Sequence, residues 1–143
     1  MVLFARDIVE SDFISAVGSM NAFEAARMMR DRRHGFVVVT DRDGRPVGMV
    51  TEWDYISKVA AEGKDPSKVA LEEIMTKSLV TVNDDWGIDQ VSQFMSERGI
   101  RRVLVLHKGT VIGVITSKTV LATLKNYLDT VSSQIARLQG PWR

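Results

Sequence analysis

A chain of 143 residues with 45% apolar and 26% charged side chains can bury a core and stay in solution, and its length fits one compact domain or two small halves sharing a core. A net charge of +1 is too small for a nucleic-acid footprint spread over the whole surface, which leaves room only for a local basic patch. The absence of cysteine excludes disulfides, thiolate catalysis and the usual zinc sites together.

Arg6 and Asp7 interrupt the opening apolar run, so residues 1–12 hold no signal-peptide core. No stretch approaches the roughly 20 apolar residues of a membrane span, and a cytoplasmic protein is expected. Phe13–Ala16 reads as extended. Ala22, Ala25, Ala26 and Met29 then fall at i, i+3, i+4 and i+7, one face of a helix. Phe36–Thr40 and Pro46–Val50 are predicted strands about the turn Asp41-Arg42-Asp43-Gly44. Ile56, Val59 and Ala60 mark the expected inner face of a closing helix that ends near Gly63. Gly63–Ser67 is a linker, and Val69–Met75 is expected to be a short helix.

The pattern then returns. Ser15 matches Thr81, Met29 matches Met95, Val37 matches Val103 and Val39 matches Val105 at an offset of 66, and after the turn Gly48 matches Gly113 and Thr51 matches Thr116 at 65. One residue has been lost where a turn tolerates it. Leu79–Val82 is extended, Ile88, Val91 and Met95 line a helix, and Val103–Leu106 and Val111–Ile115 are strands about His107–Thr110. The strands lack polar alternation, as expected when both sheet faces are covered. Leu121, Leu124, Leu128, Val131, Ile135 and Leu138 continue as a heptad seam, stopped by Gly140-Pro141. Such a seam either packs on its own body or makes a dimer contact, and the latter is favoured.

Candidate chemistry concentrates at Gly48-Met49-Val50-Thr51-Glu52-Trp53-Asp54, repeated as Gly113-Val114-Ile115-Thr116-Ser117-Lys118-Thr119. A glycine permits close backbone approach, apolar residues end a strand, and a threonine caps a helix whose first N–H groups favour anions. Taken alone, Asp54 reads more simply as a first-turn acid complementing the helix dipole, and only the repeat context favours a binding role. Arg27, Arg30, Arg32 and Arg33 read as a solvated face balanced by Glu24 and Asp31. Asp41–Gly44 is not a calcium loop, because Arg45 and Pro46 stand where a ligand and the turning glycine belong. His34 and His107 have no companions for a metal or nucleophile site, so no metal is expected.

Two copies of Gly-apolar-apolar-Thr, the first completed by Asp54, with the lead-in Ile74-Met75-Thr76, Leu79-Val80-Thr81-Val82 and Gly99-Ile100-Arg101-Arg102, resemble a tandem pair of cystathionine-β-synthase-type (CBS) domains, or Bateman module. The resemblance spans roughly Asp7 to Asn126. It implies an α+β fold of two pseudo-twofold-related repeats, each a small mixed sheet with two helices, plus a C-terminal helix. The expected divisions are 1–66 with lead-in and linker, 67–126, and an amphipathic tail at 127–143.

The resemblance further implies a non-catalytic regulatory module, not an enzyme, that senses AMP, ADP or ATP in an inter-repeat cleft, with no obligatory cofactor. In the first cleft it places Thr51 and Asp54 at ribose and phosphate with Met49 and Trp53 beside them, and an adenine wall from Thr76, Lys77, Val80 and Ile100. Phe36 stands where a phosphate-binding arginine often lies, so Arg101 or Lys77 would meet that charge. The second cleft would have Val114, Thr116, Lys118 and Thr119 facing Ile14 and His34, with Arg102 for phosphate and no carboxylate. One good site and one poor or empty site are expected, in a homodimer read by an unidentified effector protein. The alternatives are a homodimeric scaffold with vestigial clefts, or binding of S-adenosylmethionine or nucleic acid.

Overall fold

Val37, Val38 and Val39 are β-branched and fully buried, so the strand that carries them must be covered on both faces. In the computed structural model, which describes residues 3–139, that strand is the centre of a three-stranded sheet. β1 (Ile14–Val17) runs parallel to β2 (Phe36–Thr40), and β3 (Pro46–Thr51) pairs antiparallel with it, Val38 opposite Met49. The second repeat builds the same sheet from β4 (Thr81–Asn83), β5 (Arg102–His107) and β6 (Thr110–Thr116), Leu104 opposite Val114. Lys108 and Gly109 both take positive φ, 50° and 82°, as a two-residue hairpin turn requires.

The helices preceding each hairpin are α2 (Ala22–Arg32) and α5 (Ile88–Arg98). Ala22, Ala25 and Met29 bury the face that their spacing predicts, and Val91 and Met95 do so in the second repeat. Each helix ends on a left-handed residue, Arg33 in one repeat and Gly99 in the other.

The short helices α1 (Ala5–Ile8) and α4 (Leu71–Ile74) cross over. The N–H of Ala5 donates to the Trp86 carbonyl and that of Ile88 to the Leu3 carbonyl, so the N-terminal segment docks on the second repeat. Conversely, Ala22 donates to Val69 and Leu71 to Met20, which docks α4 on the first. Ala5 is accordingly buried with Val82, Val91 and Ile115, and Leu71 and Ile74 with Ile14, Val37 and Val50. The expected helix over Val69–Met75 is shorter, because Val69 and Ala70 are extended to reach α2.

The two glycines of the repeated turn are what allow this exchange. Thr76 bridges Met49 and Glu10 bridges Val114, each through a reciprocal pair of backbone hydrogen bonds of 2.9–3.0 Å. A Cβ on Gly113 would overlap the Glu10 carbonyl oxygen and Val9, whereas one on Gly48 would meet the Met75 side chain. Gly113→Ala should therefore cost about 1–3 kcal/mol in urea unfolding, from overpacking against fixed backbone. Gly48→Ala should cost less, since a methionine can yield.

The closing segment of the first repeat departs from its prediction. It begins as α3 (Glu52–Tyr55) and continues as a π-helix over Ile56–Ala60, with Ala61 donating to Ile56. The wider i→i+5 turn shifts the helical phase. Val59 remains buried, but Ile56 and Ala60 face outward, and the inner positions are Asp54, Tyr55 and Val59. The Tyr55 hydroxyl donates to the Ala22 carbonyl at 2.7 Å, and burial pushes its pKa up to about 12, so it remains a donor at neutral pH. In the second repeat α6 (Ser117–Leu138) is one unbroken 22-residue helix with no buried residue. Leu121, Leu124, Leu128 and Ile135 are each at least half exposed, so the seam does not pack on its own body. Gly140-Pro141 lies outside the described residues.

Candidate functional site

Phe36, Val38, Leu104 and Val114 project from the two sheets into a shared core, which fixes the repeats face to face. At its edge opens a cavity of about 420 Å³ lined by both repeats, within the size range of small-molecule sites. Met49 and Thr51 come from the end of β3. Thr76, Ser78, Leu79 and Val80 come from the lead-in to β4, and Ile100, Arg101, Arg102 and Leu104 from the start of β5. Six of the nine residues expected in the first cleft, Met49, Thr51, Thr76, Val80, Ile100 and Arg101, are thus brought together.

Three are not. Trp53 is 68% exposed and points to solvent from the first turn of α3. Lys77 is exposed and off the cavity wall. Asp54 is the one buried charged residue among those described, 4% exposed. Its Oδ2 accepts the Thr51 N–H at 2.8 Å and the Thr51 hydroxyl at 3.2 Å, while Oδ1 pairs with Lys58 at 2.9 Å. Lys58 also donates to the Ile74 carbonyl at 2.9 Å, tying the closing helix to α4. The carboxylate expected at the ribose thus lies behind Thr51, its oxygens engaged by the helix cap and by the half-exposed Lys58.

Arg102 is the larger surprise. It was expected in the second cleft, yet it lines the first cavity. Its guanidinium stacks 4.3 Å above the ring of Phe36, the residue that matches it in the other repeat. Burial lowers its pKa from the usual arginine value, and nearby Glu52 partly opposes that shift. Its Nε is buried without a hydrogen-bond partner. Phe36 thus carries the missing arginine's place indirectly, as the platform for its counterpart.

The residues expected to form a second cleft are differently placed. Ile14 is fully buried within the first repeat and Val114 lies in the shared core. Thr116 caps α6 by accepting the Thr119 N–H at 3.1 Å, and Lys118 is exposed. His34 Nε2 lies 3.3 Å from Asp12, which also binds Arg32 at 2.6 Å. A carboxylate is present after all, from a position the sequence did not indicate: Glu10 accepts the Thr119 hydroxyl at 2.7 Å. The signal that could have found it is the offset itself, which pairs Glu10 with Thr76.

The arginine stripe of α2 is a solvated face, as expected, with Arg30 on Asp31 at 2.8 Å and Arg32 on Asp12. Among the described residues no group of three His, Asp or Glu could hold a metal ion, and no helix is long and apolar enough to cross a membrane.

The family model described as CBS domain matches residues 5–61 and again 71–126. The chain is 29% identical over 134 residues to an uncharacterized protein of Methanopyrus kandleri, covering 93% of this chain and 68% of that one. It also aligns with 23% of the length of an L-aspartate semialdehyde sulfurtransferase of Methanocaldococcus jannaschii, at 30% identity and 83% coverage of this chain. Among solved structures, a hexameric CBS-CP12 protein from bloom-forming cyanobacteria superposes with TM-score 0.72 at 34% identity, over 85% of this chain and 67% of that one. A CBS domain pair in complex with 5′-methylthioadenosine and S-adenosyl-L-methionine superposes with TM-score 0.74 at 28% identity, over 89% and 99%.

Proposed function

Because the chain belongs to the CBS domain family, we propose that it is a non-catalytic regulatory module whose inter-repeat cavity binds an adenine nucleotide. The observation that carries this reading is the buried, unpartnered Nε of Arg102 in the cavity wall. An unsatisfied buried donor on a charged group costs free energy, which a small turn of the guanidinium toward an entering anion would recover. Arg101 stands beside it, Thr51 offers a hydroxyl, and Met49, Leu79, Val80 and Ile100 supply apolar walls for a purine. A related pair is described in complex with two adenosine derivatives, which supports the nucleoside half of the ligand. The two arginines favour a phosphate at its other end over a cationic sulfonium. A ligand can shift the module between states, for an effector protein to read, only through unequal affinity for them. AMP at 100 times its dissociation constant should add about 2.7 kcal/mol to stability, read as a rise in melting temperature. No rise with AMP, ADP or ATP would reject the proposal.

A second reading, assembly, is favoured by α6. A 22-residue helix is about 33 Å long, and its exposed heptad leucines form the kind of seam that a second copy of the same helix covers. Leu128→Lys with Ile135→Lys should convert a dimer to a monomer by light scattering, with helical content retained. An unchanged mass would refute the seam.

A further inference from the structure

The backbone bridge that carries Thr76 to Met49 is repeated by Glu10 and Val114, with the same pair of hydrogen bonds. The two side chains at this shared position differ in reach and charge. Thr76 is short and neutral, and it forms part of the wall of the open first cavity. Glu10 is long and anionic, and its carboxylate spans to the Thr119 hydroxyl at 2.7 Å. Thr119 stands where the first repeat has Asp54, at the turn against which the first cavity opens through Thr51.

Charge reinforces the contrast. Across the shared axis the first cavity is faced by Ile100, Arg101 and Arg102, and the matching residues of the second cleft are His34, Gly35 and Phe36. Arg102 lines the first cavity and is held there by its stack on Phe36. The second turn therefore meets the Glu10 carboxylate, and the cation on that turn is the solvent-exposed Lys118 instead of a guanidinium stacked in the wall.

We propose that Glu10 is the residue that decides which cleft is filled: its carboxylate latches the second turn and leaves one nucleoside site per chain. Gly113 makes the latch possible, since any side chain there would push the Glu10 backbone away. This rests on the reading of the first cavity as a nucleoside site, and it predicts an exchange of behaviour between two matched positions. Glu10→Thr should open the second cleft, and Thr76→Glu should close the first.

The test is a titration of the whole chain with adenosine, followed by backbone amide shifts. Adenosine lacks phosphate, so the missing arginines of the second cleft do not decide the outcome. In the wild type, Met49 and Thr51 should shift while Val114 and Thr116 stay fixed. In Glu10→Thr both sets should shift, and in Thr76→Glu the first set should lose at least ten-fold in apparent affinity. Val114 and Thr116 unmoved in Glu10→Thr, or already shifting in the wild type, would overturn the latch. Met49 and Thr51 unmoved in the wild type would instead reject the first-cavity reading, and the Glu10→Thr result would still decide the latch. Amide spectra without ligand report whether each variant is folded.

Discussion

Leu104→Ala is expected to lower unfolding free energy by about 2–5 kcal/mol, the cost of a large-to-small change at a fully buried core site. Leu104 is 1% exposed and packs with Phe36, Val38 and Val114, so the cavity it leaves lies between the repeats and not within one of them. The exchanged lead-ins make the same point from the backbone: α1 belongs to the core of the second repeat and α4 to that of the first. Both halves should therefore unfold together, with circular dichroism and tryptophan fluorescence giving coincident urea transitions at a reduced midpoint. Two separated transitions would mean that the repeats are independent. Val47→Ala, at a 39% exposed position, should stay within about 0.5 kcal/mol of wild type.

Arg102→Ala should weaken AMP binding about 10- to 150-fold, the range that follows from 1.5–3 kcal/mol for a charge-assisted hydrogen bond. Adenosine affinity should change far less, because the purine walls and Thr51 are untouched. Arg102→Lys should recover only part of the loss: it keeps the charge but gives up the planar fork and the stack on Phe36. Equal losses for AMP and adenosine would place the effect in packing, contrary to a phosphate role. The AMP preference should also shrink with salt, although less steeply than for surface charges, since Arg102 is partly buried.

Much of the fold was legible because it is written twice. The recurrence of Val37 and Val39 as Val103 and Val105 located both central strands, and the glycine-bounded turns located both hairpins. The alanine and methionine spacing of α2 gave its buried face correctly. What the pattern could not give was anything depending on which repeat a connecting segment chooses. No sequence signal marked the short helix at residues 5–8; its docking on the second repeat follows from the backbone bonds of Ala5 and Ile88 and from the fit of the Glu10 backbone against Gly113.

The site shows the same division. Met49, Thr51, Thr76, Val80, Ile100 and Arg101 were grouped from motif position and do meet at one cavity. Asp54 lies behind the cavity wall because a carboxylate three residues after a capping threonine can turn back to the cap as readily as outward, and Lys58 pairs with it there. Arg102 lines the first cavity because its guanidinium leans onto the aromatic face of Phe36, a contact between repeats that motif position does not reveal. The π-helix after Tyr55 had no sequence signal at all, and it moved Ile56 and Ala60 from the inner face to the outer one.

The most direct measurement is a calorimetric titration of the intact chain with AMP and, separately, with adenosine. One AMP per chain, bound at least ten-fold more tightly than adenosine, is the expected result for a single open cleft with Arg101 and Arg102 at its phosphate end. No heat from either ligand, or equal affinities for the two, would contradict it.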